Sequence, residues 1–341
     1  MNKKNRPHIP VKAGMQGFSL IEFLVASALS MIVLLAVSSG YFTARSLNTA
    51  ATSRLNVQQD LRNASNQIVR DARMAGNFGC FNMSGYDTQA VIKDFGSKEF
   101  FTLKNGQMLS AVRETNDLGA TGFKPSSKSK ALIFQYGIDA ENPKNLKAET
   151  AVASSCTNIT KPGNQITDVK AALAALNLKT DSSQAGNISI MKHEVNAYAV
   201  GTAGGQEGLY RFQLAENGEW SNPQLLIKGI KSMKIRYFYA EKCPQTDVES
   251  RAASAPPTGN TQNQGQTQGQ DETFTYSDEL PPKDPDLAKE TPASIELLLN
   301  SNDKRELGSI NAAGSNDKNE VQIYRINATI RGGNKCADRL L

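Results

Sequence analysis

The chain begins with two contrasting stretches, one polar and basic and the next almost wholly apolar. Residues 1–17 are polar, and from Phe23 to Ala44 there are 22 residues without a charge. At about 1.5 Å per residue this apolar run forms a helix of roughly 33 Å, which is enough to cross a hydrocarbon core of about 30 Å. The pattern predicts a membrane-spanning helix near the N-terminus.

After Arg45 the helical pattern continues but becomes amphipathic. Apolar residues recur near the helical period up to Ala75, and Gly76 is a plausible stop. The sequence therefore predicts one helix of about 55 residues, with its first half in a membrane and its second half packed on a globular domain. The recurring positions are Leu47, Ala51, Leu55, Leu61, Ala64, Ile68, Ala72 and Ala75.

Beyond Gly76 the sequence has the alternation and turn residues of a β-rich domain. Asn217-Gly218 predicts a tight turn, Gly201–Gly208 a hairpin loop, and Asp168–Leu176 a short helix with Asp168 at its cap. We expect an α+β, pilin-like architecture in which an antiparallel sheet covers the upper half of the long helix. The predicted strands are Lys130–Tyr136, Ile188–His193, Ala197–Val200, Leu209–Leu214, Met233–Tyr239, Ser294–Leu299 and Val321–Arg331.

Two regions of the domain have the composition of surface loops. Ala252–Gln270 is rich in Gln, Gly, Pro and Thr and continues into a proline-rich stretch, so residues 252–292 are predicted to be a flexible insertion. A tether that binds a partner is the alternative. Asn300–Asn319 contains Ser-Asn-Asp-Lys twice, which turn chemistry explains without a cation site.

The four cysteines, Cys80, Cys156, Cys243 and Cys336, are too far apart for the close pairs of zinc sites or redox motifs. An even number in an exported chain indicates two disulfides, for which three connectivities exist. We favour Cys80–Cys156 with Cys243–Cys336, because each pair would close one half of the domain. Buried free thiols are the alternative.

Charge adds the orientation of the predicted membrane helix. The net charge is +5, but Lys3, Lys4, Arg6 and Lys12 lie in the first 17 residues, which contain no acidic residue. Without those four, 34 of the 38 basic residues remain against 33 acidic ones, so no global basic field indicates nucleic-acid binding. The basic leader predicts that the N-terminus lies in the cytoplasm and that the chain after Arg45 is translocated to the other side of the membrane.

Glu22 stands at the start of the apolar segment, where a carboxylate costs up to about 3 kcal/mol at mid-depth. Cleavage between Gly17 and Phe18 would supply a partner, because the new α-amine of Phe18 lies about one helical turn from Glu22. Between neighbouring subunits this pair would set the axial stagger of the helices. An ordinary signal peptide cut near Ala36-Val37-Ser38 and a plain membrane anchor are the rivals, and neither explains Glu22.

Gly17-Phe18-Ser19-Leu20-Ile21-Glu22 and the apolar helix after it resemble the class III signal of type IV pilins and pseudopilins. The resemblance implies that a prepilin peptidase cuts after Gly17 and N-methylates Phe18, and that Glu22 serves assembly. It also implies four parts: a leader (1–17), a membrane or filament-core half of the stem helix (18–44), an amphipathic half (45–75) and a periplasmic β-rich domain (76–341).

The order of motifs in the domain is similar to that of the PilW (also called PilJ) family of minor pilins. This resemblance implies a low-abundance subunit that initiates pilus assembly with other minor pilins and the major pilin, at an inner-membrane assembly platform. The insertion at 252–292 departs from the family pattern. The motifs are Ala75-Gly76-Asn77-Phe78-Gly79-Cys80, Leu132-Ile133-Phe134-Gln135-Tyr136 before Cys156, Gly208-Leu209-Tyr210-Arg211, and the segment from Leu226 to Tyr237.

Little in the sequence favours an enzyme. Of the two histidines, His8 would leave with the leader, and His193 lies in a predicted strand, where a structural role is usual. No nucleophile elbow or phosphate loop is present, and we expect no metal or cofactor. Two alternative functions remain: a type II secretion pseudopilin with the same anchor, and a filament-tip module that binds DNA or a host surface through residues 252–292.

Overall fold

A computed structural model describes residues 19–81, 92–93, 111–179, 187–241, 274–287, 290–301 and 323–332 of the chain. The chain divides into two compact units, Met1–Gln58 and Gln59–Leu341. Most of the predicted insertion and of the repeated Ser-Asn-Asp-Lys region lies outside the described residues.

Helix α1 runs from Leu20 to Met74 and has 55 residues, as the hydrophobic pattern predicts. It ends because Gly76 takes a left-handed conformation with φ of 76°, which glycine adopts without strain. The Gly76 N–H then donates to the Gln135 carbonyl at 2.9 Å, so the chain just after the helix is bonded to the β-rich part of the molecule. Gly76 is therefore the helix stop that the sequence predicted.

The remaining described elements are thirteen strands, one further helix and a short 3₁₀ turn at Pro143–Asn145. Helix α2 is Val169–Ala175, and Asp168 caps it by accepting a hydrogen bond from the Ala171 N–H at 2.8 Å, as predicted. The strands are β1 (Ile92–Lys93), β2 (Val112–Thr115), β3 (Phe123–Pro125), β4 (Ala131–Asp139), β5 (Ala151–Ser154), β6 (Ile159–Thr160), β7 (Ser189–Ala203), β8 (Gln206–Leu214), β9 (Trp220–Lys228), β10 (Ser232–Ala240), β11 (Phe274–Ser277), β12 (Ser294–Asn300) and β13 (Ile323–Thr329).

The strands form two sheets rather than the single sheet expected from the sequence. The larger has nine strands in the order β1-β6-β5-β7-β4-β2, with β8 pairing β7 and β9, and β3 pairing β7. The smaller has four antiparallel strands in the order β11-β10-β12-β13. The described pairs are antiparallel except β1 with β6, so the α+β class predicted from the sequence is confirmed.

β7 organises the larger sheet, because its 15 residues pair with four other strands. The sequence predicted two short strands here, Ile188–His193 and Ala197–Val200. That prediction was wrong: the chain continues as one strand, in which the intervening polar residues Glu194 and Asn196 are buried. The hairpin loop predicted at Gly201–Gly208 is a tight turn at Gly204–Gly205 between β7 and β8.

The main apolar core combines the last turns of α1 with side chains from both sheets. Ala64, Ile68 and Ala72 of the helix are fully buried. They belong to one cluster with Phe134 and Tyr198 of the larger sheet and with residues of the smaller one, namely Met233, Ile235, Tyr237, Ile295, Leu297, Leu299 and Ile326. The segment Gln59–Met74 is thus part of the core of the second unit.

Candidate functional site

The first half of α1 exposes a long run of large apolar side chains. Their exposed fractions run from 55% at Val25 to 78% at Leu20. The helix is long and apolar enough to cross a membrane, and no residue of its most apolar 18-residue stretch is buried. An apolar surface of this extent is typical of a segment that meets lipid or other helices.

Hydroxyl groups within this apolar segment are satisfied by the helix itself. Ser27 and Ser39 donate to carbonyls three residues back at 2.9 Å, and Ser30 and Thr43 donate to carbonyls four residues back at 2.7 and 2.9 Å. Such bonds let hydroxyl side chains enter a hydrocarbon environment without an unpaired donor. The four hydroxyls are therefore compatible with a membrane position.

Glu22 has a partner in its own chain. Its carboxylate oxygen Oε2 accepts a hydrogen bond from the Ser19 backbone N–H at 3.1 Å. Ser19 precedes the first helical residue and Glu22 lies three residues later, which is the spacing of a capping box. The carboxylate also lies at the positive end of the helix dipole. This capping role was not predicted from the sequence, although the Ser-x-x-Glu spacing is its visible signal. Gly17 and Phe18 lie outside the described residues.

Cys80 and Cys156 form a disulfide with their Cα atoms 4.7 Å apart, which is the first of the two favoured pairs. The bond joins the segment that follows α1 to the turn between β5 and β6. Nearby, the Ser154 hydroxyl donates to the Phe78 carbonyl at 2.6 Å, so this segment is held at two points. Cys243 and Cys336 lie outside the described residues.

A buried carboxylate at the end of α1 gathers donors from three strands. Asp71 has no exposed surface and accepts from the Tyr198 hydroxyl at 2.7 Å and the Tyr136 hydroxyl at 3.2 Å. The Arg211 Nε lies 3.4 Å from the Asp71 carboxylate. Asn196 donates to the Tyr136 hydroxyl at 3.0 Å. We call Asp71, Tyr136, Tyr198 and Arg211 the Asp71 cluster.

The phenols of the Asp71 cluster are held as hydrogen-bond donors. Burial, and next the charge of Asp71, raise the pKa of Tyr136 and of Tyr198 well above that of a free phenol. Both hydroxyls therefore keep their protons at neutral pH. Sequence reasoning missed this cluster because Asp71 lies among the charged residues Arg70 and Arg73 of an amphipathic helix.

His193 is enclosed in β7 and lies next to Phe78, with the ring centroids 6.1 Å apart. Burial, with a smaller effect from the charge of Arg113, lowers the pKa of His193 to about 3. The imidazole is thus neutral at physiological pH. Among the described residues, no group of three or more His, Cys, Asp or Glu side chains could hold a metal ion.

Comparison with known protein families gives one match, the prokaryotic N-terminal methylation motif, over residues 12–38. The matched segment contains Gly17, Phe18 and Glu22. No curated protein and no solved structure matches the chain. The motif supports a type IV pilin-like precursor, and it covers only the N-terminal part of the sequence.

Proposed function

We propose that the chain is the precursor of a minor type IV pilin that helps to initiate pilus assembly. The observation that carries this proposal is the methylation motif at residues 12–38, set at the start of a long helix with an exposed apolar surface. Its partners would be prepilin peptidase, other minor pilins, the major pilin, the inner-membrane assembly platform and the lipid bilayer. The subunit acts as a structural protein rather than an enzyme.

In this proposal, prepilin peptidase removes residues 1–17 by cutting between Gly17 and Phe18, and the new N-terminus at Phe18 is methylated. Residues 18–44 lie in the inner membrane and later in the filament core. Residues 45–75 form the amphipathic half of the stem, and residues 76–341 form the periplasmic domain. The second disulfide of that domain would join Cys243 to Cys336.

Two features support a cytoplasmic N-terminus and a periplasmic domain. The residues before the apolar segment are basic, and cytoplasmic flanks of membrane helices carry an excess of Lys and Arg. The Cys80–Cys156 disulfide supports a periplasmic position of the domain, because disulfides persist in oxidising compartments such as the bacterial periplasm.

Assembly would bury the exposed apolar face of the stem against neighbouring stems. Before assembly, the hydrogen bond from the Ser19 N–H gives the Glu22 carboxylate a partner within its own helix. In the filament, the Phe18 amine of a neighbouring subunit would offer Glu22 a full positive charge in low dielectric, where an ion pair is strong. The cap stabilises the monomer, and the ion pair sets the register between subunits.

Processing at Gly17 is tested by a Gly17→Ser variant expressed in cells that make pili. We expect this variant to keep its leader, because the resemblance to type IV pilins implies that the peptidase recognises the glycine before the cut. Intact-mass measurement of protein from membranes would show residues 1–17 retained and Phe18 unmethylated. Gly40→Ser is the matched control, since nothing lies within 4 Å of the Cβ it adds, and it should mature normally. Normal maturation of Gly17→Ser would refute this cleavage site.

The charge of Glu22 can be separated from its capping role. Glu22→Gln keeps an oxygen that accepts the Ser19 N–H but carries no charge, whereas Glu22→Ala removes both. We expect both variants to be processed and membrane-bound, and both to lose most surface pili as counted by electron microscopy. Normal piliation with Glu22→Gln, and loss only with Glu22→Ala, would assign Glu22 to helix capping instead of assembly.

A type II secretion pseudopilin is the second candidate, because the same motif and anchor would serve it. A deletion strain separates the two functions. Loss of pili and of twitching with normal secretion supports the minor pilin. Loss of exoprotein secretion with normal pili supports the pseudopilin.

A further inference from the structure

The last turns of α1 present little apolar surface to the two sheets. In the segment Gln59–Met74 the fully buried apolar side chains are Ala64, Ile68 and Ala72, and Leu61 and Val69 are only partly buried. Alanine methyl groups remove little area from water, so hydrophobic burial alone holds this segment weakly. The alanines do allow the helix backbone to approach the sheets closely.

Asp71 lies on this alanine-rich face, and close approach brings its short side chain to the sheet. Its three hydrogen-bond donors come from different strands: Tyr136 from β4, Tyr198 from β7 and Arg211 from β8. Hydrogen bonds to a charged group are stronger than neutral ones, and a buried donor that loses its acceptor is costly. The Asp71 cluster therefore links the helix to the middle of the larger sheet.

The chain just after the helix is held by contacts that do not involve Asp71. Gly76 donates to the Gln135 carbonyl, the Gly137 N–H donates to the Asn77 carbonyl at 2.8 Å, and Cys80 is bonded to Cys156. These contacts would keep the chain attached to the sheet even if the helix before it came away.

We propose that the Asp71 carboxylate holds the helix segment Gln59–Met74 on the sheets. Without this carboxylate, the segment would detach while the sheets stay folded. The segment Gln59–Met74 would then detach from the sheets and rebind with its own equilibrium, separate from global unfolding. This proposal concerns residues of the second unit alone, so it does not depend on pilus assembly.

This role of Asp71 is tested by hydrogen exchange of the full chain in detergent, measured by mass spectrometry. In Asp71→Asn we expect backbone amides of residues 64–74 to exchange about 10- to 100-fold faster, from the loss of bonds to a charged acceptor. Amides of β4 and β7 should keep their wild-type rates. Asp60→Asn, the same change at an exposed position of the same helix, should leave both sets of rates unchanged.

Tyr198→Phe is the second variant, because it deletes one hydroxyl and leaves the ring in the core. We expect it to speed exchange in the same helix amides by a smaller factor, about threefold to tenfold. It decides the question alone if Asp71→Asn does not fold. Equal acceleration in the helix and in β4 and β7, or no acceleration at all, would overturn the proposal.

Discussion

At the scale of single residues, His193 makes the stability of the domain depend on pH. The folded chain keeps this imidazole neutral, with a pKa of about 3, whereas the unfolded chain binds a proton below pH about 6.5. Between these values the unfolded state holds more protons than the folded state. The free energy of unfolding should therefore fall as the pH is lowered from about 6.5 towards 3, by up to about 1.4 kcal/mol per pH unit.

Carboxylates also titrate in this window, so a variant without the imidazole is needed. We expect His193→Gln to be less stable than the wild type at pH 7 but to lose less stability on acidification. Denaturant unfolding at several pH values gives the two curves, and their difference isolates His193. Parallel curves from pH 7 to pH 4 would show that His193 contributes nothing to the pH dependence.

Residues differ in how visible they are in a sequence. Glu22 is conspicuous because it interrupts an apolar run, and its spacing from Gly17 identifies a known signal. Asp71 and Glu194 are buried but stand among other polar residues, so their sequence pattern resembles a solvated face. Which polar residue is buried depends on the partners that the fold brings to it, such as Tyr136 and Tyr198, and these are distant in sequence.

At the scale of elements, long and strongly periodic segments were predicted well. α1, α2 and the strands β4, β8, β10 and β12 lie close to where the sequence placed them, because each contains a clear run or period of apolar residues. The pairing of β8 with β9 also follows the predicted Asn217-Gly218 turn, where Gly218 has φ of 86°.

The elements that sequence reasoning missed are short or irregular. β2, β3, β5 and β6 have two to four residues, which is too few to show a period. β9 contains Pro223 and a left-handed Asn222, both of which argue against a strand. Both residues are tolerated because β9 pairs with β8 alone among the described strands, so the register shifts there disturb a single neighbour. The division into two sheets depends on pairings between distant segments, and a single sequence does not reveal them.

At the scale of the whole molecule, the end of the helix and the domain form one compact unit. The second unit begins at Gln59, and its core includes Ala64, Ile68 and Ala72 of α1. A chain that starts at Gly76 would lack these side chains and Asp71. It would expose the apolar side chains that they cover and leave Tyr136, Tyr198 and Arg211 without their shared acceptor.

We therefore expect polypeptides 59–341 and 76–341, each exported to an oxidising compartment, to behave differently. The chain 59–341 should unfold cooperatively as a monomer. The chain 76–341 should be less stable by roughly 5 kcal/mol or should aggregate, because it loses the shared acceptor and the burial of one isoleucine and three alanines. These four apolar residues are Ile68, Ala64, Ala72 and Ala75. Thermal unfolding and size-exclusion chromatography measure the two outcomes.

A third chain, 45–341, is the control for helix length, because residues 45–58 belong to the first unit and none of their described side chains belongs to this core. It should match 59–341 in unfolding temperature. If 76–341 unfolded at the same temperature as both longer chains, the last turns of α1 would contribute nothing to the domain. Stability that rose only on extension to Arg45 would instead move the boundary of the folded unit into the first half of the stem.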